Sequence, residues 1–289
     1  MATSPSHKFG QIIGDLLEEI INPILQDFCN RRCLYLDKKG VRGSARDGKK
    51  VAWIDKYGNS HDLDFVIEKG GSEHEIGKPL AFIEAAWRRY TKHSRNKSQE
   101  IQGAILPIAE KYWKDKPFLG AILAGVFTEG SLTQMRSSGF EVMLFPYDTI
   151  VQSFAKVKIQ AAFNEETPDA EFERAITKIE SLSTNQRRIV KNNLVTLNQP
   201  VIDKFFNDLV STLDRRITQI LMIPLHGQQH EFATIDDAIT FINGYSETER
   251  YTIDFVRYEI VVRYSNNDTI NASFDNKARS ISFLNYISN

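Results

Sequence analysis

Leu80-Ala81-Phe82-Ile83-Glu84-Ala85-Ala86-Trp87 runs directly into Arg88-Arg89-Tyr90-Thr91-Lys92-His93-Ser94-Arg95-Asn96-Lys97. The apolar half has the length and content of a strand buried in a sheet, and a carboxylate sits near its end. The basic half contains Arg88, Arg89, Lys92, Arg95, Lys97 and His93 with no acid among them. Sixteen residues before Leu80 stands Asp64, in a second acidic strand, Leu63-Asp64-Phe65-Val66-Ile67-Glu68. If Leu63 and Phe65 pack inward, alternation turns Asp64 to the other face.

Outward from this pair, the pattern predicts an α/β chain. Gly10 to Phe28 carries Ile12, Ile13, Leu16, Leu17, Ile20, Ile24 and Phe28 at helical spacing, with Pro23 a candidate kink. Residues 31–50 read as a loop, and Val51–Asp55 with His61–Glu68 as a hairpin around Lys56-Tyr57-Gly58-Asn59-Ser60. Ser98 to Trp113 reads as a helix kinked or broken at Pro107. Phe118 to Phe127 suits a strand buried on both faces. Gly139 to Phe145 follows as a strand, and Tyr147 to Val157 as a helix. The expected architecture is a central mixed β-sheet flanked by helices over residues 1–163, then a C-terminal α+β region over 164–289. The acidic stretch Glu165, Glu166, Pro168, Asp169 marks the linker between them. Helices are expected from Glu171 to Met222, broken at Gln199-Pro200, then two or three strands from Asp254 to Ile287.

The 289 residues hold 36 Lys plus Arg against 37 Asp plus Glu, so any polyanion site must come from local clustering. Absence of a long apolar run or an apolar signal core at Met1–Lys8 predicts a cytoplasmic protein with no membrane partner. Cys29 and Cys33, one helical turn apart, read as reduced, partly buried thiols, since two ligands make no zinc site. His226 and His230 read as loop residues.

Hydrolysis of a phosphodiester needs in-line delivery of hydroxide, neutralisation of charge on the phosphate and protonation of the leaving oxygen. Mg²⁺ held by one or two carboxylates supplies much of this, and its preference for oxygen donors explains Asp and Glu on rigid strands. Asp64 and Glu84 have that form. A strand carboxylate more commonly just meets solvent, and a basic run is commonly a solvated surface. Here the run begins where the acidic strand ends, and a basic lip around paired acids calls for a phosphate.

With Asp64, then Glu84-Ala85-Ala86 ending a strand, then a helix with Lys97, Gln99 and Gln102, residues 10 to 160 resemble the PD-(D/E)XK nuclease superfamily, and within it type II restriction endonucleases. The resemblance implies a restriction-endonuclease-like core, Asp64 and Glu84 as ligands of Mg²⁺ (Mn²⁺ substituting), and assistance from an acid of the first helix, Glu18 or Glu19, with Glu18 favoured. It also implies a lysine two residues after the Glu that positions the attacking water. Here that residue is Ala86. Three accounts stand: a migrated lysine, Lys97 ahead of Lys92; an engineered inactive variant; or a natural pseudonuclease that binds without cutting.

The expected activity is Mg²⁺-dependent hydrolysis of double-stranded DNA at a short sequence, by a homodimer with a cognate DNA methyltransferase in the same system. The alternative is a DNA-binding protein with a degenerate nuclease domain. A small-molecule α/β enzyme is disfavoured, because the chain has no phosphate-cradling glycine loop, nucleophile elbow or dinucleotide fingerprint. For DNA contact the candidates are Arg42, Arg46 and Lys49 in the basic loop 31–56, then Arg88, Arg89 and Arg95. Gln134 and Arg136 lie in the connection 131–139, and Arg187 and Arg188 at a helix start. That loop carries nine basic residues against three acids, although loops kept soluble by lysines look the same.

Overall fold

The computed structural model describes residues 4–225, 227–248 and 254–288, the side chains of 91–94 excepted. Helix α1 (Pro5–Arg31) begins where Ser4 accepts a hydrogen bond from His7 N at 3.3 Å and Pro5 takes the first turn, where its missing N–H costs nothing. Its apolar stripe, Phe9, Ile13, Leu17, Ile20 and Leu25, is buried. Pro23 stays inside the helix.

The first unit (Met1–Lys111 with Pro117–Leu209) is built on a five-stranded sheet in the order β1-β4-β5-β6-β7. Strands β1 (Tyr35–Lys38), β4 (Phe65–Lys69) and β5 (Lys78–Arg88) pair antiparallel, whereas β5, β6 (Phe118–Gly125) and β7 (Phe140–Pro146) are parallel. The crossovers are α2 (Thr91–Lys111) and α3 (Glu129–Ser137). The sheet is therefore mixed and flanked by helices, as expected. Gly120 on β6 leaves room where an added Cβ would stand 2.9 Å from both Ile83 and Phe205.

A separate two-stranded ribbon pairs β2 (Val51–Ile54) with β3 (Ser60–Leu63). Asp55 closes its turn, its Oδ1 accepting from Tyr57 N at 2.8 Å and Asn59 N at 2.9 Å. The single strand expected over His61–Glu68 is thus two strands, and the break between them is Asp64.

Other expectations need correction. Residues 31–50 are not all loop, because Tyr35–Lys38 forms an edge strand on β4. The connection holding Gln134 and Arg136 is helix α3, capped by Thr128, which accepts from Ser131 N at 3.2 Å. Neither Pro107 nor Pro200 ends its helix. Helix α4 (Tyr147–Ala155) is followed by α5 (Asp169–Glu180) and then by α6 (Thr184–Leu213), which runs through Pro200. Buried Val190 and Leu194 before it, and Ile202, Phe205 and Leu209 after it, hold α6 together by packing where propensity would break it.

The division expected after residue 163 also moves, since α5 and most of α6 belong to the first unit. The second unit (Tyr112–Lys116 with Val210–Asn289) has an antiparallel sheet in the order β11-β10-β8-β9. Its strands are β8 (Ile217–Pro224), β9 (His230–Phe232), β10 (Tyr258–Tyr264) and β11 (Thr269–Phe274), with helices α7 (Ile235–Gly244) and α8 (Lys277–Ile287). Residues 217–222, expected to be helical, are strand; residues 277–287, in the stretch expected to be strands, are helix. His226 lies outside the described residues. Cys29 is a buried free thiol, pushed up to about 12 by burial, and Cys33 is free and exposed.

Much of the basic loop is not available to a ligand. Arg42 is 1% exposed and grips Glu68 with both arms, at 2.7 and 2.8 Å. It also pairs with Asp37 at 3.0 Å and lies 4.2 Å over the Tyr35 ring. Arg46 pairs with the same Asp37 at 3.0 Å and donates to Lys38 O at 2.9 Å. Arg42 and Arg46, expected to contact DNA, instead have their guanidinium groups engaged by buried acids. Arg42→Ala would leave Glu68 and Asp37 buried with that partner gone, at an expected cost of about 3–5 kcal/mol. Urea unfolding checks it, with exposed Lys49→Ala expected within about 0.5 kcal/mol of wild type.

Candidate active site

Antiparallel pairing of β4 on β5 matches Ile67 with Ala81, Val66 with Phe82 and Phe65 with Ile83. One further step sets Asp64 against Glu84. Directly opposed residues of an antiparallel pair face the same side. The chain leaves the ladder at this step, and the Asp64 side chain takes over the next hydrogen bond, Oδ2 accepting from Ala85 N at 2.8 Å. Both carboxylates therefore meet at the end of the ladder.

Glu84 is 8% exposed, and its Oε1 has no hydrogen-bond partner among the described residues. Burial, then the negative charge of Asp64, pushes its carboxyl up to about 8, with Lys97 opposing. Glu84 and Asp64 thus act on each other as like charges. Like charges this close, one of them out of solvent, favour the form in which one carboxyl keeps its proton. Glu18, facing the pair from α1, is raised too, by burial first and then by Asp64, with Lys39 lowering it.

Among the described residues no three His, Cys, Asp or Glu side chains stand close enough to hold a metal ion. The pair nonetheless fits a hard divalent cation: two oxygen donors, one of them orphaned, out of solvent and without a full counter-charge. Asp64 and Glu84 would be its protein ligands. Glu18 is a neighbour of Asp64 rather than a member of the pair.

Lys97 is the lysine whose charge reaches Glu84, while its Nζ rests 2.6 Å from Glu100 Oε1. It lines one cavity with Ala86, Arg88 and Arg89. The side chain of Lys92 lies outside the described residues. Gln102 is buried, donating to Ser98 O at 3.1 Å and accepting from Ser138 at 3.1 Å, while Gln99 is exposed. Sequence reasoning missed Lys39, which sits near Glu18, and the first turn of α1. Neither has a sequence pattern that sets it apart from surface residues.

The other DNA-contact candidates fall in different places. Lys49, Arg95, Gln134 and Arg188 are exposed, and exposed Arg136 pairs with Glu129 at 3.3 Å. Arg187 closes the end of α5, donating to Ile179 O at 3.1 Å and Glu180 O at 3.2 Å, a structural use of a cation at a helix C-terminus. Among the described residues no helix is long and apolar enough to cross a membrane.

No family model and no curated protein matches the chain. Among solved structures, the crystal structure of a protein of unknown function, AF1548, aligns over 66% of this chain and 97% of that one, at 12% identity and a TM-score of 0.27. That likeness carries no argument about fold or chemistry.

The raised carboxyl has a pH signature. Glu84 ionises near 4.5 unfolded and near 8 folded, so its favourable contribution is complete below 4.5 and is lost as pH rises through 8. Glu84→Gln is therefore expected to unfold with a gain over wild type that is absent at pH 4, grows through neutrality and levels off above pH 8, on the order of 5 kcal/mol at the plateau. Thermal unfolding in EDTA across that range checks it; a pH-independent difference would contradict it.

Proposed function

We propose that this chain is a Mg²⁺-dependent endonuclease of the PD-(D/E)XK kind, with a restriction-endonuclease-like core, hydrolysing double-stranded DNA at a short sequence. The observation that carries the reading is the convergence of Asp64 and Glu84, one from the end of an antiparallel ladder and one from the interior of the sheet, at a buried point with an unpartnered carboxylate oxygen. A bound divalent cation would supply charge neutralisation at the phosphate and a more acidic attacking water.

The chain's own residues do the rest. Asp64 is oriented by the Ala85 amide, which donates to its Oδ2. The rigid strand keeps Glu84 out of solvent, where a cation can replace its proton. Lys97 brings positive charge to Glu84 from α2 and borders the same cavity as Ala86, the place at which the resemblance implies a lysine. It would hold the attacking water or a phosphate oxygen, releasing Glu100 to do so. A homodimer and a cognate methyltransferase belong to this proposal as the restriction reading implies them.

A second reading, a DNA-binding protein that does not cut, is favoured by two observations: Ala86 itself and the Lys97–Glu100 pair, which occupies the replacement lysine. Plasmid digestion with Mg²⁺ or Mn²⁺ titration separates them. Under the nuclease reading Asp64→Ala and Glu84→Ala each lower cleavage by at least about 10²–10³-fold with folding intact, and Lys97→Met by about 10²-fold. Ala86→Lys, strongly raising cleavage of an inert wild type, would instead mark position 86 as the lesion. Salt-sensitive gel shifts without nicks at any metal concentration would leave only the binding reading.

A further inference from the structure

The cavity beside the carboxylate pair is formed by the first turns of α1 and the C-terminal end of β5. Its polar lining includes Ser6, Gln11, Arg88, Arg89, Tyr90 and Lys97, and among the described residues no Asp or Glu borders it. Four arginines, Arg42, Arg46, Arg136 and Arg215, each face a carboxylate within 4 Å, whereas Arg187 and Arg263 bond neutral oxygens. Among the described residues Arg88 and Arg89 have no carboxylate partner. Arg88 turns to the backbone instead, Nη1 donating to Trp87 O at 2.8 Å.

Arg89 is held in place without being neutralised. Its guanidinium lies 4.3 Å over the Tyr90 ring and 4.4 Å over the Phe172 ring, and Nη2 donates to Ser6 Oγ at 2.7 Å. Nε and Nη1 are buried with no hydrogen-bond partner among the described residues. Placing a cation between two aromatic faces recovers part of its lost hydration, yet a buried charge with no counter-ion remains costly. The N-terminus of α1, 27 residues long, adds partial positive charge to the same cavity. A fixed guanidinium, a second arginine, a lysine and a helix start around an acid-free cavity make a receptor for a compact anion.

We infer that this cavity is an anion subsite for one phosphate of a polynucleotide backbone, next to the phosphate addressed by Asp64 and Glu84. Backbone atoms of Ala85 and Ala86 tie the two places together: Ala85 N holds Asp64, and both alanines border the cavity. Arg89, Ser6 and the α1 terminus form the fixed wall, and Arg88 and Lys97 close on the phosphate. The subsite rests on the nuclease reading only for the source of its phosphate. It gives the basic run after Glu84 a specific purpose, since it sets where the strand lies relative to the carboxylates.

The test avoids cleavage altogether. In EDTA, the intact chain, Arg88→Ala and Arg89→Gln are titrated with a DNA duplex over a range of salt, and separately with inorganic phosphate against chloride at matched ionic strength, read by thermal shift. Removing one phosphate-binding cation is expected to flatten the log Kd against log salt slope by about 0.9 and weaken duplex binding about eightfold at 0.1 M salt. The phosphate-dependent rise in Tm should vanish in the same variants. Arg88→Ala, at a side chain whose hydrogen bond goes to the Trp87 carbonyl, carries the test alone if Arg89→Gln does not fold. Folded variants with unchanged slope and unchanged phosphate response would overturn the subsite, and a phosphate response without duplex binding would overturn its polynucleotide source. Absence of cleavage by the wild-type chain at any Mg²⁺ or Mn²⁺ concentration would end the nuclease reading yet leave these EDTA results as they stand.

Discussion

The register of β4 on β5 is the constraint on which the candidate site depends. Pairing Phe65 with Ile83 delivers Asp64 to Glu84, and a slip of one residue would send Asp64 to the opposite face. What holds the register lies at the far end of the strand. Glu68, fully buried, accepts both arms of Arg42 and also the Gly77 amide at 2.6 Å, beside an irregularity in the ladder between Ile67 and Glu68. The buried ion network is thus a clamp on β4. Arg42 would serve the proposed site through geometry rather than contact with a ligand.

Burial then turns geometry into chemistry. Two carboxylates at a solvent surface would both ionise and repel weakly across water. With Glu84 inside the sheet, the second negative charge has nowhere to go, so the pair retains a proton near neutrality. A site in that condition discriminates strongly among its occupants: a proton or a hard cation relieves it, and an apolar or anionic group does not. Glu18, raised by burial and by the same Asp64 charge, extends the acidic character toward α1.

The sequence was legible where local pattern and tertiary role agreed. The apolar run 80–87 and the alternation around Asp64 are strong signals, and both carboxylates could be picked out before any geometry. The break at Asp64 was not visible, because Leu63 and Phe65 alternate around it as they would in one strand, although each is buried in a different pairing. Strand β1 was hidden among lysines and glycines, its two central residues, Leu36 and Asp37, being buried while its flanks read as loop. Strand β8 is easily mistaken for a continuation of the preceding helix, since apolar residues at 217, 220, 221 and 223 satisfy a helical period as well as an alternating one. Arginine is the least legible residue of all. Nothing in composition separates Arg42, locked to Glu68, from Arg88, with no acid beside it among the described residues.

Position 86 shows how the same cavity can serve either reading of the chain. Ala86 follows Glu84 by two residues on β5, so its side chain leaves the strand on the same face, and it is 6% exposed at the cavity wall. A lysine there would thread a long stem into space that Lys97 and Arg88 border. With alanine, that space stays open, and under the proposed reading the cation would come from a helix whose first turn carries no acidic residue. A lysine near a helix start loses reach, since Lys97 must turn from Glu100 to act. It gains independence from the strand, because α2 can shift its charge without disturbing the Asp64–Ala85 hydrogen bond. Movement of the cation from strand to helix is compatible with chemistry as long as the carboxylates stay in register, and the Arg42 clamp secures that register from outside the site.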